Sequence, residues 1–521
     1  MSEYTNSGTE QEQGRQRRIL ILVLLLLALV VLGRRRGRRL FVLGSLLLFA
    51  GGILYLRYNP NRPVTYDDIE DHFKYGSIGS DLENGLPLRV LQVLPRMFPE
   101  YLPKEGPRDY TAFGFIQEPG KALPIGFSTR RHYIDLVGLN CAACHVGVVR
   151  ETPLSPPVIY LGMPSNTVDL ESFFFFLFRC AGDNRFNPDA ILAEMDKDGR
   201  LLAPDRLIYK LAIIQMKAGL LQKKAQLERF ITPDHPPFGP GRVDTFNPYK
   251  TNQFSEAYPQ DHQDLLPAVE RYGTVDLPSI WNQQIREGMN LHWDGNNNSV
   301  MERNYSAAFG AGATCENVDT ASMARIKAWI DTLPAPKYPF PIDQSKVARG
   351  KSVYDQYCAN CHEPGGQHTG KVTPIQDIAT DDNRLNSYTE KLHDLQIGYC
   401  KGKPYEFQHF TKTDGYANAP LDGIWARAPY LHNGSVPTLW DLLTPADKRN
   451  NGKTSFYAGH GVYDPVNVGF RTDVTSAGGR PSFQYVISQP GNSNKGHTGE
   501  SYGTELSDAD KRALIEYLKT K

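Results

Sequence analysis

This sequence of 521 residues contains little sulfur. Its seven cysteines are too few to hold a chain of this length together as a disulfide scaffold. None of its eight methionines lies in residues 324–521, which excludes a methionine metal ligand from that stretch. Intrinsic disorder is excluded as well, because 40% of the residues are hydrophobic, 11% are aromatic and only 22% are charged. A chain of this length predicts two or three folded domains, each with its own core.

Net charge is also lacking, since 57 basic residues balance 57 acidic ones. Residues 1–60 hold nine Arg and three Glu, which leaves 48 basic and 54 acidic residues in the rest of the chain. Phosphate binding relies on clustered Lys and Arg, and the dense Arg cluster at residues 34–39 lies beside apolar runs. We therefore expect no nucleic-acid partner, and the cluster indicates membrane topology instead.

Two long apolar runs flank this cluster. Residues 19–32 form a run of 14 residues and residues 40–56 an uncharged run of 17, whereas a membrane span needs roughly 17–25 apolar residues. The second run is predicted to span, while the first is marginal and its placement stays open. A cleaved signal peptide is less favoured, because no small-residue cleavage site follows Leu56 cleanly. With the Arg cluster in the cytoplasm, residues 1–60 are predicted to form a cytoplasmic tail and inner-membrane anchor, and the remainder is expected in the periplasm.

Four cysteines belong to two Cys-x-x-Cys-His motifs. The motifs consist of Cys141, Cys144 and His145, and of Cys358, Cys361 and His362. This is the attachment sequence of c-type haem, in which both thiols form thioether bonds and the histidine binds iron. A zinc site would need a second ligand pair nearby, and a redox dithiol would not carry the histidine twice. We predict two covalently bound haem c groups. Cys180, Cys315 and Cys400 remain, so at most one disulfide can form within the chain, and its pair stays open.

Helical patterns and a proline-rich segment divide the chain. Residues 347–357 precede the second motif with apolar residues at helical spacing, and residues 506–518 close the chain as a helix capped by Ser507. Another helix opens at Ser322, and the proline-rich residues 334–341 after it cannot continue it. This order resembles class I cytochromes c. The predicted fold is mainly α, with two fused class I cytochrome c-like domains carrying long loop insertions, preceded by the transmembrane anchor. The predicted domain bounds are 61–335, with a large insertion, and 336–521.

The insertion of the first predicted domain contains the candidate catalytic residues. They are Trp281, His292, Trp293 and Glu302. Two indoles suit an electron relay, and an imidazole and a carboxylate suit proton transfer, although ordinary packing explains each residue at least as well. Residues 294–298 are rich in Asp and Asn, which favours a turn and is compatible with calcium, but their spacing differs from that of an EF-hand. The phenylalanine run at residues 173–178 is interpreted as a buried helix, with haem or substrate contact as the alternative.

Several further segments resemble a known family. Residues 428–439, together with the two haem motifs, resemble the bacterial di-haem cytochrome c peroxidase superfamily. Residues 138–140, 292–296 and 491–497 are more similar to its rubber-oxygenase-like branch. The resemblance covers roughly residues 65–521. It implies that the C-terminal haem accepts electrons and that the N-terminal haem has an open or openable site for peroxide or dioxygen.

The missing methionine separates the sequence from typical di-haem peroxidases, whose electron-transfer haem has a Met as its sixth ligand. The C-terminal haem is expected to have a second His, another group or no sixth ligand, unless a methionine reaches it from the first domain. The candidates are His368, His393, His409, His432, His460 and His497. We favour His497, which lies in a loop rich in Gly, Asn and Ser and matches the motif of the branch, with a surface position as the alternative. His460 comes next, and His432 better suits a propionate or backbone partner. For the first haem no sixth ligand stands out.

Three functions are compatible with these features. The favoured one is a membrane-anchored periplasmic di-haem oxidoreductase of the peroxidase type. In it the C-terminal haem passes electrons from a small redox protein or quinol-linked donor to peroxide or dioxygen at the N-terminal haem. The second is a haem dioxygenase that cleaves or oxygenates an unsaturated lipid or isoprenoid in a dry apolar pocket. The third is an electron-transfer cytochrome without its own substrate.

Overall fold

The computed structural model describes residues 44–45, 51–52, 61–258 and 265–521. Two compact units are distinguished: Met1–Arg62 with Arg131–Ile134, and Pro63–Arg130 with Asp135–Lys521. Both Cys-x-x-Cys-His motifs lie in the second unit. The predicted tail and anchor at residues 1–60 lie outside the described residues, apart from residues 44–45 and 51–52.

From residue 61 onward the described chain contains helices of very different lengths and short strands. The α-helices are α1 (Ile69–Tyr75), α2 (Ser80–Glu83), α3 (Leu88–Met97), α4 (Leu170–Gly182), α5 (Pro188–Met195), α6 (Ala203–Leu227), α7 (Val300–Gly310), α8 (Thr320–Ile330), α9 (Gln344–Tyr357), α10 (Ala359–His362), α11 (Ile375–Ile378), α12 (Asn383–Ser387), α13 (Glu390–Gln396), α14 (Leu439–Leu442) and α15 (Asp508–Leu518). The strands are β1 (Arg62–Pro63), β2 (Leu86–Pro87), β3 (Phe127–His132), β4 (Ile134–Leu139), β5 (Val146–Val149), β6 (Val158–Leu161), β7 (Arg242–Asp244), β8 (Thr274–Asp276), β9 (Val372–Pro374), β10 (Gly415–Ala417), β11 (Ser455–Ala458), β12 (Tyr463–Asp464), β13 (Gly469–Phe470), β14 (Ser476–Ala477), β15 (Arg480–Pro481) and β16 (Phe483–Val486).

The strand content corrects the predicted mainly α fold of two class I cytochrome c-like domains. The structure is 40% helical and 13% strand. Its strands form small antiparallel pairs, among them β5 with β6, β7 with β8, and β11 with β16. Such pairs give the backbone groups of the long insertions their hydrogen-bond partners. The first haem motif lies between β4 and β5, so no helix leads directly into it, whereas α9 leads directly into the second motif.

The predicted inner-membrane anchor is also corrected. The longest described helix, α6, has 25 residues, but Arg206, Lys210 and Lys217 interrupt its apolar positions. Within the described ranges no helix combines the length and the apolar character that a bilayer span requires. The predicted inner-membrane and periplasmic location therefore has no support in the structure.

Helices α9 and α15, which were both predicted from the sequence, pack against each other. A Cβ atom at Gly350 of α9 would lie 1.9 Å from the carbonyl oxygen of Ala513 in α15, so glycine permits the close approach of the two backbones. Ser507 caps α15 by accepting a hydrogen bond from the Asp510 N–H at 3.2 Å, as predicted. Cys358 follows α9 directly, and the pair thus holds the start of the second motif.

Two other helical predictions are tested by the structure. The phenylalanine run lies in α4, where the Phe173 ring packs 5.2 Å from the Phe115 ring and 5.9 Å from the Phe113 ring, which confirms the buried helix. The helix predicted to open at Ser322 begins earlier, because the Asp319 side chain accepts a hydrogen bond from the Ser322 N–H at 3.0 Å and caps α8.

The hydrophobic cores draw on both sides of the predicted boundary at residues 335 and 336. One core joins α8 to residues around Phe407, and another joins Trp281 to α9 and α15. A disulfide between Cys315 and Cys400, with Cα atoms 5.4 Å apart, also links the two parts of the sequence and leaves Cys180 buried and unpaired. The two-domain division stays a prediction, while the structure shows that the two parts share their cores.

Candidate haem sites

The first Cys-x-x-Cys-His motif is a tight turn. Asn140 caps the 3₁₀ helix Cys141–Ala143, because its side-chain oxygen accepts a hydrogen bond from the Ala142 N–H at 3.0 Å. Cys141 and Cys144 form no disulfide. Both thiols are therefore available for covalent attachment.

His145 is held in the tautomer that a metal ligand needs. Its Nδ1 lies 2.9 Å from the carbonyl oxygen of Pro278. Since a carbonyl only accepts, Nδ1 carries the proton and Nε2 keeps its lone pair for a metal. Burial, and secondly the positive charge of Arg303, lower the pKa of His145 to about 3, so the imidazole is neutral at ordinary pH.

The second motif repeats this arrangement. Cys358 ends α9, Cys361 and His362 lie on the short helix α10, and neither cysteine forms a disulfide. His362 donates from Nδ1 to the carbonyl oxygen of Ala419 at 2.8 Å. Burial lowers the pKa of His362, which keeps the ring neutral and leaves its Nε2 free.

His497 faces His362 across the second site. The two ring centres are 6.5 Å apart, and the ring planes are inclined by 43°. Metal–imidazole bonds are about 2.0 Å long, so two imidazoles on opposite sides of one metal have nitrogens ~4 Å apart and ring centres ~6 Å apart. The Nδ1 atom of His497 is buried without a hydrogen-bond partner. Burial, and then the charges of His362 and Arg449, lower the pKa of His497 to about 3. This geometry fits the predicted bis-histidine ligation.

The runner-up His460 uses both of its ring nitrogens inside the protein. Its Nδ1 accepts from the Val462 N–H at 2.9 Å. Its Nε2 lies 2.9 Å from the Arg471 carbonyl oxygen and 3.2 Å from that of Tyr457. With both nitrogens engaged, His460 is suited to holding its loop rather than to binding iron. His432 stacks on the Tyr416 ring at 4.3 Å, with its Nε2 3.2 Å from the tyrosine hydroxyl.

The two candidate tryptophans are fixed through their indole nitrogens. Trp281 is fully buried and donates to the carbonyl oxygen of Asp422 at 3.0 Å. Trp293 donates to the carbonyl oxygen of Asp276 at 2.7 Å. Rigid, satisfied indoles of this kind suit both packing and an electron relay, and their predicted role stays a prediction.

His292 lies in the electrostatic environment of the first motif. Its Nδ1 is 2.5 Å from the side-chain oxygen of Asn296, and its backbone adopts φ = 63°. Burial, and secondly the charge of Arg303, lower the pKa of His292 to about 3. The positive charge of Arg303 is thus the second cause of the lowered pKa of both His145 and His292.

Glu302 is buried and fully engaged with a neighbouring loop. Its carboxylate accepts hydrogen bonds from the N–H groups of Gln408 and His409, each at 2.9 Å, and from the side-chain amide of Asn297 at 3.1 Å. The Nδ1 atom of His409 lies 2.5 Å from the same carboxylate. This environment favours a loop-holding role over the predicted acid/base role.

The predicted calcium loop has its carboxylate occupied. Asp294 lies 3.3 Å from the guanidinium of Arg384, and both side chains are buried. In the ranges that the structure describes, no group of three or more His, Cys, Asp or Glu side chains is arranged to hold a metal ion. Calcium binding gains no support here.

Two arginines were missed as site residues. Arg303 follows Glu302 in the sequence, and this Glu-Arg pair was the available signal. Arg449 lies in the kinked segment Ala446–Gly452 and contacts the loop of His497 from 48 residues away, so no local pattern pointed to it.

The donor sets fit covalent haem at both motifs. Each motif supplies two unpaired thiols and one neutral histidine whose Nε2 is free, and the second adds the buried ring of His497.

Residues 415–452 match the family model described as RoxA-like, cytochrome c-like. The matched segment contains Ala419, which fixes His362, and Arg449. It supports a relationship to RoxA-like and cytochrome c peroxidase-like proteins. A cytochrome c-like domain implies haem c and suggests a haem oxidoreductase.

Two relatives come from Sinorhizobium fredii. The uncharacterized protein y4iM is 29% identical over 297 residues, which cover 49% of this chain and 66% of the relative. The uncharacterized protein y4iJ is 26% identical over 523 residues, which cover 78% of this chain and 83% of the relative.

Proposed function

We propose that this chain is a di-haem c-type cytochrome with peroxidase-type oxidoreductase activity. Cys358 and Cys361 hold the haem that receives electrons, and Cys141 and Cys144 hold the haem of the oxidant site. When bound, the two groups supply one-electron transfer and, at the N-terminal site, binding of peroxide or dioxygen. A small redox protein or a quinol-linked donor provides the electrons.

The asymmetry between the two sites carries this proposal. At the C-terminal site His362 and His497 face each other with ring centres 6.5 Å apart, so the two imidazoles would hold a haem there without room for an external ligand, which suits electron transfer. In the part of the chain that the structure describes, no second imidazole faces His145 in this way. A haem held by His145 would then be able to bind a small oxidant.

The side chains around His145 suit proton handling. The Asn296 side-chain oxygen lies 2.5 Å from Nδ1 of His292, which leaves Nε2 of that ring to exchange a proton with hydrogen peroxide. Arg303 adds a positive charge near the same place, which favours a negatively charged oxygen species. Trp281 and Trp293 are the proposed electron relay, since their indoles are held rigidly by carbonyl groups.

A second candidate function is a haem dioxygenase that acts on an unsaturated lipid or isoprenoid. The match of residues 415–452 to a RoxA-like model favours it, together with the resemblance of residues 491–497 to the rubber-oxygenase-like branch. The two candidates use the same N-terminal site and differ in the substrate that approaches it.

The experiment starts from the purified holoprotein and counts its haems with a pyridine haemochrome assay, for which we expect two acid-stable haems per chain. Turnover is then measured with hydrogen peroxide and a reduced small cytochrome, and with dioxygen and an isoprenoid such as squalene dispersed in detergent. Peroxide-dependent oxidation of the cytochrome supports the proposal. Oxygen uptake that depends on the isoprenoid, without peroxide turnover, replaces it with the dioxygenase. If the protein carries two haems but shows neither activity, both enzymatic candidates are overturned and an electron-transfer cytochrome is the function that fits.

A further inference from the structure

One buried guanidinium, that of Arg449, contacts the loop that carries His497 at three backbone carbonyls. Arg449 is 1% exposed. It donates to the carbonyl oxygens of Gly496 at 2.9 Å and His497 at 3.1 Å, and it also donates to that of Asn494. These three carbonyls lie on both sides of the turn at His497, so Arg449 helps to fix the path of this loop. Asn433 and Ser435 hold its earlier part by donating to the carbonyl oxygen of Ser493.

The other edge of the guanidinium is tied to the end of α14. Its Nε donates to the carbonyl oxygens of Asp441 and Thr444, both at 3.1 Å. The Asp441 carboxylate is directed elsewhere, since it accepts from the Thr438 hydroxyl at 2.6 Å and from the Asn450 N–H at 2.8 Å. Arg449 thus joins α14 to the ligand loop entirely through backbone carbonyls.

Arg449 is therefore a buried cation whose charge has no hydrogen-bonded carboxylate among the described residues. The negative charge of Asp441 acts on Arg449 without a hydrogen bond and offsets only part of the effect of burial, which lowers the pKa of Arg449 to about 10. Burying a charge without a hydrogen-bonded counter-charge is unfavourable, and carbonyl oxygens compensate for it only in part. A neutral side chain would fill the same space at a lower free-energy cost. This unfavourable free energy of burial has a reason if the planar guanidinium and its positive charge both act on the neighbouring second site.

We propose that Arg449 is a positioning residue for the axial loop of the C-terminal haem and that its charge raises the reduction potential of that haem. The proposal rests on the proposed function, in which His362 and His497 bind one iron. Reduction adds one electron and removes one positive charge from the iron without breaking a bond. A nearby cation in a medium of low dielectric constant destabilises the more positive ferric state. Imidazole in place of methionine lowers the potential, and Arg449 offsets part of that effect.

Two substitutions of Arg449 separate the effect of its positive charge from the effect of its planar set of hydrogen-bond donors. Arg449→Gln removes the charge and keeps two N–H donors, whereas Arg449→Lys keeps the charge and loses the planar fork. Arg471→Gln is the matched control, because Arg471 is half-exposed and already pairs with Asp473 at 2.9 Å. The readouts on the holoprotein are the midpoint potential of the low-spin haem, from spectroelectrochemical titration, and the fraction of low-spin signal, from electron paramagnetic resonance.

For Arg449→Gln we expect the reduction equilibrium constant to fall at least tenfold, which corresponds to a downward shift of about 59 mV for one electron. For Arg449→Lys we expect a potential close to that of the wild type but a new high-spin fraction, because the loop carbonyls are no longer clamped. Arg471→Gln should change neither quantity. If Arg449→Gln does not fold, Arg449→Lys still tests whether Arg449 positions the loop of His497. A fully low-spin signal in Arg449→Lys overturns this positioning role.

Unchanged potential and unchanged spin state in both Arg449 variants overturn the whole inference while leaving the ligand assignment intact. Absence of a low-spin bis-histidine signal from the wild type has a different meaning, because it overturns the ligand pair of the proposed function and this inference with it. The two failures are therefore distinguished by the wild-type spectrum alone.

Discussion

At the scale of single residues, the contacts of the ring nitrogens separate candidate iron ligands from structural histidines. His145 and His362 each place Nδ1 against one carbonyl and keep Nε2 free, while His460 has both nitrogens engaged. His497 has a buried Nδ1 without a partner and a ring that faces His362. A histidine that coordinates a metal needs one nitrogen left over, and this requirement distinguishes His497 from His460.

The substitution His497→Ala should convert the C-terminal haem from low spin to high spin. The reason is the loss of the second imidazole, while attachment through Cys358 and Cys361 stays intact. Visible and electron paramagnetic resonance spectra of the purified variant check this. The wild type should also lack the near-infrared charge-transfer band of methionine-ligated haem, since residues 324–521 contain no Met.

The matched control is His460→Asn, which keeps a side chain capable of hydrogen bonds and should leave the spin state nearly unchanged. If His497→Ala leaves the spin state unchanged and His460→Asn changes it, His460 is the second iron ligand and His497 is not. A methionine band in the wild type would contradict histidine ligation altogether.

Glu171 provides a pH prediction. Burial raises the pKa of its carboxyl to about 7 from an ordinary value of 4.5, despite a hydrogen bond from the Phe238 N–H at 2.6 Å. Between these pH values the folded protein binds more protons than the unfolded chain, so raising the pH lowers the free energy of unfolding. The free energy of unfolding, measured with urea, should fall between pH 5 and pH 7.5 by roughly 1–3 kcal/mol less in Glu171→Gln than in the wild type. Parallel pH dependence in both proteins would contradict the raised pKa.

At the scale of elements, the contact between α9 and α15 holds the start of the second motif. Gly350→Ala should destabilise the protein by roughly 1–3 kcal/mol, because the added methyl group would meet the Ala513 carbonyl 1.9 Å away. Gly219→Ala is the matched control. It also lies inside a helix, but nothing is within 4 Å of its Cβ position, so a gain of about 0.5–1 kcal/mol is expected. Chemical unfolding measures both, and equal effects would contradict the close approach of the helices.

The elements also show how far sequence reasoning reaches. The haem motifs, α9 and α15 are local patterns of spacing and capping, and all of them were predicted. His497 was favoured because methionine is absent from residues 324–521 and because its loop is rich in glycine. The carbonyl partners Pro278 and Ala419 and the clamp by Arg449 depend on chain segments that meet only in the folded protein. Short strands such as β12 and β14, with two residues each, leave no periodic signal to detect.

At the scale of the whole molecule, the disulfide between Cys315 and Cys400 crosses the predicted domain boundary. It closes a loop with a sequence separation of 85 residues. Replacing both cysteines by serine should lower the free energy of unfolding by roughly 4 kcal/mol, mainly through the greater freedom of the unfolded chain. Urea titration of the holoprotein checks this, with Cys180→Ala as a control that removes a thiol without removing a bridge. A loss no greater than that of the control would contradict the contribution of the bridge.

The same bridge determines what a single proteolytic cut does to the protein. The extended, proline-rich residues 334–341 lie inside the loop that the bridge closes, as does the whole second motif. A protease that nicks this segment would produce two pieces, each with one Cys-x-x-Cys-His motif, that migrate together on a non-reducing gel. Only after the bridge is reduced would they separate. The two pieces that carry the haem motifs thus stay covalently connected through the disulfide after the main chain between them is cut.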